Sequence, residues 1–183
     1  MRKILVLSLA LVLGISLATP LAAGDAVSKE LPFYGAFTGW VFPFDTNPEA
    51  IAERCTDNPE GKGAWAIASF EGWGNVTHMG RTYVYAEHCS YASIELGPDG
   101  TYGQGELFLY AANGDMLYAT YDDGTSLPPP DIQFTDLFTF HDGGTGRFSF
   151  ASGQGIEMGT VDLGSLPPSF TLEMAGVISY KRR

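Results

Sequence analysis

Asp136 occupies a position in the sequence where a carboxyl group could do chemistry. It shares the two-residue alternation of Ile132, Phe134, Phe138 and Phe140, and the residues between them are mostly polar. Alternate residues of a strand face the same side of a sheet, so the pattern places this carboxyl among aromatic rings. If that face lines a barrel, burial raises the pKa of Asp136, and the carboxyl can orient a ligand or exchange a proton. It could instead be a structural hydrogen-bond acceptor or lie in water at a strand end.

Other side chains could complete a pocket around this carboxyl. Arg81 and Arg147 are candidate ion-pair partners, and tyrosines on the strand predicted at 82–91 could add aromatic walls. The predicted ligand-binding residues are Asp136, Phe134, Phe138, Tyr83, Tyr85 and Arg147. The same rings could equally fill the interior and leave no site.

The histidines and acidic loops do not form a metal-binding pattern. His78, His88 and His141 are the only histidines, and no HxH or HxxxH spacing occurs. Metal sites usually combine two or three such ligands with carboxylates. His78 lies in a turn-like segment, where we expect a hydrogen bond to the backbone. The acidic loops at 57–60 and Asp122–Asp123 do not match an EF-hand. We therefore predict no metal ion and no cofactor.

The elements that position these side chains are short strands. Asn113-Gly114 separates two apolar and aromatic runs, which is a strong hairpin signal. Strands are predicted at 33–41, 64–73, 82–91, 106–112, 116–121, 132–141, 155–162 and 170–180, with a short edge at 76–79. Seven or eight strands separated by Gly, Pro and Asp clusters predict an all-β domain, either a closed antiparallel barrel or a β-sandwich.

One short helix and one disulfide are also predicted. The helix spans 47–54, where Asn47 can cap its start and Pro48 takes the first helical position. Cys55 and Cys89 are the two cysteines, and in an exported protein two cysteines usually pair. Such a bond would fix the helix to the barrel, and we hypothesise that the helix covers one barrel mouth.

The N-terminal segment 1–23 has the features of a secretory signal peptide. Arg2 and Lys3 precede an apolar run, and small residues follow that run. The remaining segment, 24–183, suits one domain with one core. It contains 8 basic and 21 acidic residues, a net charge of −13, which disfavours nucleic acid. We expect an exported protein, periplasmic or extracellular, whose mature chain does not insert into a membrane.

A glycine-rich run supports the barrel rather than the sandwich. The sequence Gly-Gly-Thr-Gly-Arg-Phe-Ser-Phe-Ala-Ser-Gly spans Gly143–Gly153. It resembles the G-G-[ST]-G-x-F-x-x-A-x-G turn of allene oxide cyclase-like and dirigent-like proteins, including uncharacterised bacterial secreted members. The resemblance implies an eight-stranded antiparallel barrel, with Phe148 as a plug and Ala151 and Gly153 allowing close chain approach. It transfers no catalytic residue.

The sequence leaves three functions open. It contains no nucleophile elbow, P-loop, dinucleotide fingerprint or zinc-protease motif, so no enzyme class follows from it. The first interpretation is a barrel that binds a small, partly apolar molecule. The second is a cyclase- or dirigent-like enzyme that confines a reactive intermediate, as the resemblance permits. The third is a non-catalytic assembly or surface-interaction protein, such as a homo-oligomer with an apolar outer patch.

Overall fold

Eight antiparallel strands form a closed barrel in the computed structural model, which describes residues 29–56, 63–91, 100–126 and 131–181. Each strand pairs with its neighbours in chain order, and β1 pairs with β8 to close the sheet. The strands are β1 Leu31–Val41, β2 Ala66–Val76, β3 Gly80–Ser90, β4 Gly100–Ala111, β5 Met116–Ser126, β6 Asp131–His141, β7 Ser152–Asp162 and β8 Ser169–Ser179. The barrel prediction is thus confirmed, and the sandwich alternative is not.

The separate edge strand predicted at 76–79 is wrong. Val76 ends β2, and the next three residues form the turn into β3. His78 occupies that turn with a φ of 69°, and its Nε2 lies 2.9 Å from the Pro32 carbonyl oxygen. The expected hydrogen bond between His78 and the backbone is therefore confirmed.

One end of the barrel is filled by aromatic rings. The rings of Phe33 and Phe140 meet edge to face with centroids 4.8 Å apart, and Phe138 packs against both. Phe148, on a 3₁₀ turn at Gly146–Phe148, is fully buried and contacts the Tyr180 ring. Gly153 crosses so close to Val177 and Ile178 that a Cβ there would meet their backbone. The predicted plug at this end is present.

The short helix, α1 at Pro48–Arg54, is attached to the outer wall of the barrel through the residues at its C-terminal end. Asn47 Oδ1 accepts from the Glu49 N–H at 2.9 Å, which confirms the predicted cap. Cys55 and Cys89 form the predicted disulfide, with Cα atoms 5.8 Å apart. In the described part of the chain, no helix has the length and apolar character needed to cross a bilayer.

The helix contacts the side of the barrel and not a barrel mouth, contrary to our hypothesis. Arg54 forms an ion pair with Glu87 at 2.9 Å and donates to the Gln104 carbonyl at 2.6 Å. Cys89 shares the outward register of Glu87 on β3, so the disulfide fixes the end of the helix to the outside of the β3–β4 wall.

Candidate functional site

The end of the barrel opposite Phe148 contains a cavity of about 80 Å³. Its walls are mostly apolar, and it is partly open to solvent. Phe44 and Trp65, whose rings meet edge to face at 5.3 Å, lie with Leu163 among the loop residues that line it. The interior of this barrel is therefore packed at one end and hollow at the other.

Two buried carboxyl groups lie side by side in the cavity wall. Asp136 on β6 and Glu157 on β7 are cross-strand partners that are only 4% and 3% exposed. Tyr102 OH donates to Asp136 Oδ2 at 2.6 Å. Asp136 Oδ1 and Glu157 Oε2 are buried without a classical hydrogen-bond partner. Since adjacent carboxyls rarely ionise together, one proton shared between these two groups satisfies both oxygens.

Burial sets the ionisation of the pair. It raises the pKa of Asp136 to about 6, although hydrogen bonds from Glu157 and Tyr102 act in the opposite direction. It also raises the pKa of Glu157 well above its usual range, and the charge of Asp136 adds to that effect. At neutral pH, Glu157 is therefore the proton donor and Asp136 the ionised acceptor. The pair carries a single negative charge.

Neutral polar rings face the same cavity. His88 stacks on Tyr102 with ring centroids 4.3 Å apart, and its Nδ1 lies 3.0 Å from Tyr121 OH. Burial, with a smaller contribution from the Arg54 charge, lowers the pKa of His88 to about 3. Burial also raises the pKa of both tyrosines far above their usual range. At neutral pH the imidazole and both phenols are uncharged.

Two glycines make room for the tyrosine rings. A Cβ at Gly124 would overlap the Tyr102 ring, and a Cβ at Gly105 would overlap the Tyr121 ring. The glycines belong to β5 and β4, directly beside the strand that carries each ring. Their lack of a side chain lets both rings lie flat against the wall and direct their hydroxyls toward the polar cluster.

The structure brings only part of the predicted site together. Asp136 and Phe134 line the cavity. Phe138 faces inward but belongs to the packed aromatic cluster with Phe33. Arg147 lies at the packed end, 3.5 Å from Asp115, and donates to the His78 carbonyl. It follows the Gly143–Gly146 reversal, which places it away from the cavity.

Tyr83 and Tyr85 lie on the outer face of the barrel and not in its interior. Tyr83 OH donates to Glu71 at 2.5 Å, and Tyr85 OH donates to Glu87 at 2.8 Å. The inward positions of β3 carry smaller side chains, such as Val84, which fit a narrow interior. Arg81 and Glu87 share the register of both tyrosines, so their charges were the signal in the sequence that this face points outward.

Neither arginine pairs with Asp136. The Arg81 guanidinium lies over the Trp73 ring on the outer face, 5.1 Å from its centroid. Arg147 bonds at the opposite end of the barrel. The partners of the carboxyl are Tyr102 and Glu157, because an acid that shares a proton with a second acid needs no cation.

Sequence reasoning missed Glu157, Tyr102, Tyr121 and His88. Glu157 alternates with Gly155 and Gly159, whose missing side chains accommodate the rings of Phe138 and Phe134. Glycines opposite aromatic residues were therefore a usable signal that this face of β7 points inward. Tyr102 and Tyr121 could be found only from strand register.

No group of three or more metal-ligating side chains occurs among the described residues. Asp122, from one predicted acidic loop, accepts from the Gln104 N–H at 2.6 Å, and the loop at 57–60 lies outside the described residues. The cavity thus offers a proton-sharing acid pair, neutral hydrogen-bonding rings and apolar walls. Such an arrangement can orient a small molecule and exchange a proton with it.

Searches of protein-family models, curated proteins and solved structures find no match for this chain. The resemblance to allene oxide cyclase-like and dirigent-like proteins therefore stays a prediction from the Gly143–Gly153 turn.

Proposed function

We propose that this protein binds a small, partly apolar molecule in the open end of the barrel. The observation that supports the proposal most strongly is a polar cluster held at a fixed place in an otherwise apolar cavity. Ligand sites typically combine apolar walls with a few positioned polar groups. A barrel that needed only stability would gain by filling this space, because empty cavities cost free energy.

The size of the cavity limits the ligand. Sites for drug-sized molecules have volumes of roughly 300–1,000 Å³, whereas this cavity has about 80 Å³. A molecule with only a few non-hydrogen atoms, or one end of a longer molecule, fits inside. The rest of a longer molecule would project past Phe44 and Trp65.

Native mass spectrometry of the protein purified from its own host tests the proposal. We expect an added mass that is lost on denaturation. Ala86→Phe would place a ring in the cavity and should abolish that mass, because Ala86 lines the cavity. Ala52→Phe, at an exposed position of α1, is the matched control and should retain it. A bare wild-type protein, or equal adducts in both variants, would count against the proposal.

The proposal includes export after removal of a signal peptide at 1–23, which lies outside the described residues. The Cys55–Cys89 disulfide supports it, because structural disulfides persist in oxidising compartments such as a periplasm or the extracellular space. N-terminal sequencing of the protein from its host should find Gly24 as the first residue. An intact Met1 in a reduced cytoplasmic protein would contradict it.

Catalysis is a second candidate function, favoured by the acid pair. Glu157 holds a proton at neutral pH beside a confined cavity, so it can protonate a bound reactive intermediate while the ionised Asp136 accepts a proton from another of its atoms. The acid pair then again holds one proton, and the product has the mass of the substrate. A cyclase-like reaction would convert a host metabolite into an isomer of equal mass. Wild-type protein incubated with a host extract should produce that isomer, and Glu157→Gln should not. The absence of any such conversion would reject this function.

Assembly is a third candidate function, favoured by an exposed apolar patch on the outer wall. Leu137, Ile156 and Met158 are each about half exposed on β6 and β7, and Ala175 on β8 adjoins Ile156. Contiguous apolar patches of this kind often mark protein contacts. Sedimentation should then show an oligomer that Ile156→Lys converts to a monomer. A wild-type monomer at all concentrations would reject assembly.

A further inference from the structure

The open end of the barrel contains a negative charge that no cation of the cavity balances. Asp136 and Glu157 line the cavity, and none of the described lining residues is Lys or Arg. Buried carboxyls are ordinarily paired with cations or bound metals. Among the residues that the structure describes, the shared proton and the Tyr102 hydroxyl compensate this charge.

The walls around the pair are also suited to positive charge. Phe70, Tyr102, Tyr121, Phe134 and Phe170 all line the cavity. The faces of aromatic rings carry partial negative charge and attract ammonium groups, more strongly where water is excluded. A negatively charged carboxyl pair surrounded by aromatic rings repels an anion. A neutral molecule has no charge through which the pair could attract it.

We propose that the ligand of this cavity is a small organic ammonium ion, with its head between Asp136 and Glu157 and its apolar body among the rings. This inference rests on the ligand-binding function proposed above and specifies the chemical class of the ligand. The ammonium takes the place of the shared proton beside Asp136 Oδ1 and Glu157 Oε2, the two oxygens without a partner.

The charges balance in this exchange. Without a ligand, the pair holds one proton and carries one negative charge. With the ammonium bound, the pair holds no proton and carries two negative charges. The released proton passes to solvent, and the added ammonium leaves the net charge of the cavity unchanged. The other titratable groups facing the pair are Tyr102, Tyr121 and His88, all neutral at pH 7, and Asp122, whose charge raises the pKa of Asp136.

The volume is suited to the head of such a ligand. About 80 Å³ is roughly half the 150 Å³ of an engineered cavity that holds benzene. An ammonium with two or three carbons fits in that space, and a longer chain leaves through the open side. A primary amine such as n-butylamine is a suitable probe, because alkyl amines stay protonated up to about pH 10.

Titration calorimetry with n-butylammonium chloride and with 1-butanol tests the inference on the wild-type protein. We expect the ammonium to bind and the alcohol to bind at least about tenfold more weakly. Because one proton leaves per ligand, the ammonium affinity should rise by up to about tenfold per pH unit between pH 6 and pH 8. The alcohol affinity should not change over that range.

Glu157→Gln should weaken ammonium binding by at least about tenfold, since it removes a charge while preserving the shape of the side chain. Glu173→Gln, on the exposed face of β8, is the matched control and should bind like the wild type. The comparison of the two probes and the measurement of pH dependence use only the wild-type protein. Both tests therefore remain valid even if Glu157→Gln fails to fold.

Stronger binding of the alcohol, or ammonium binding without pH dependence, would overturn this inference and leave the small-molecule function standing. Binding of neither probe, together with a bare protein in native mass spectrometry, would overturn both.

Discussion

At the scale of single residues, the central feature is a pair of acids that depend on each other. Asp136 and Glu157 are buried with no basic partner among the described cavity residues, and one proton stabilises the arrangement. Tyr102 holds Asp136 in place, and His88 stacks on Tyr102. The pair costs the folded state free energy, because an ionised carboxyl is better solvated by water. Such a cost is typical of residues kept for function.

Replacing Asp136 by Asn should change the pH dependence of stability. The pKa of Asp136 is raised from 3.8 to about 6 in the folded state, so its ionisation destabilises the wild type as pH rises through that window. Relative to the wild type, Asp136→Asn should therefore gain about 2 kcal/mol in free energy of unfolding between about pH 4 and about pH 7. The contribution of His88, which weakens the fold as pH falls from 6.5 toward 3, is common to both proteins.

Urea denaturation at the two pH values measures this difference. Glu173→Gln serves as the control, because that carboxyl lies on the exposed face of β8. An equal stability difference between Asp136→Asn and the wild type at both pH values would show that the carboxyl is not destabilised by burial.

At the scale of elements, the strands position the site through pairs of a glycine and an aromatic ring. Gly124 on β5 accommodates Tyr102 of β4, and Gly159 on β7 accommodates Phe134 of β6. Each glycine lets a ring lie against the wall instead of projecting into the interior. The shape of the cavity therefore depends on glycines that do not line it themselves.

Gly124→Ala should displace the Tyr102 ring and break its hydrogen bond to Asp136. Overpacking of this kind typically costs about 1–3 kcal/mol in free energy of unfolding. Chemical denaturation measures the cost. Gly63→Ala is the matched control, because no atom lies near a Cβ at Gly63. If the two substitutions had equal effects, the ring would not be held by contact with Gly124.

Residues buried at the packed end should tolerate substitution less well than exposed residues close to them in the sequence. Phe148→Ala removes a fully buried ring and should lower the free energy of unfolding by about 3–5 kcal/mol. Phe150→Ala, two residues along the chain, removes a ring that is 76% exposed and should change stability by less than about 0.5 kcal/mol. Similar losses in both variants would contradict the assignment of Phe148 as the plug.

At the scale of the whole molecule, the two ends of the barrel differ in packing. The end with Phe33, Phe140 and Phe148 is solid, and the opposite end is hollow. The Cys55–Cys89 disulfide lies on the outer wall near the hollow end, because His88 and Ser90 on either side of Cys89 line the cavity. It joins residues 34 positions apart, which restricts the unfolded chain.

Replacing both cysteines by alanine should lower the free energy of unfolding by about 4 kcal/mol on a chain-entropy model. Thermal denaturation of the double variant and of the oxidised wild type measures the loss. Reduced wild type provides the control, since it removes the bond without a substitution. A double variant as stable as the oxidised protein would mean that the disulfide contributes nothing to the fold.

The sequence predicted the barrel better than it predicted the site. Alternation in β6 correctly placed Phe134, Asp136 and Phe138 inside, because only one face of that strand is apolar. The prediction failed for Tyr83 and Tyr85, because it gave no weight to the charges of Arg81 and Glu87 on the same face of β3. Glu157 was missed because its proximity to Asp136 depends on the register between β6 and β7. That register depends on how two whole strands pair and on the turn between them, so the alternation within one strand does not reveal it.

The most direct test of the hollow barrel is a crystal structure of the protein under xenon pressure. Xenon enters apolar cavities and scatters strongly enough to be located without ambiguity. We predict a xenon atom among Phe70, Phe134 and Phe170, next to the Asp136–Glu157 pair. A barrel in which side chains fill this space, with no xenon inside, would contradict the account.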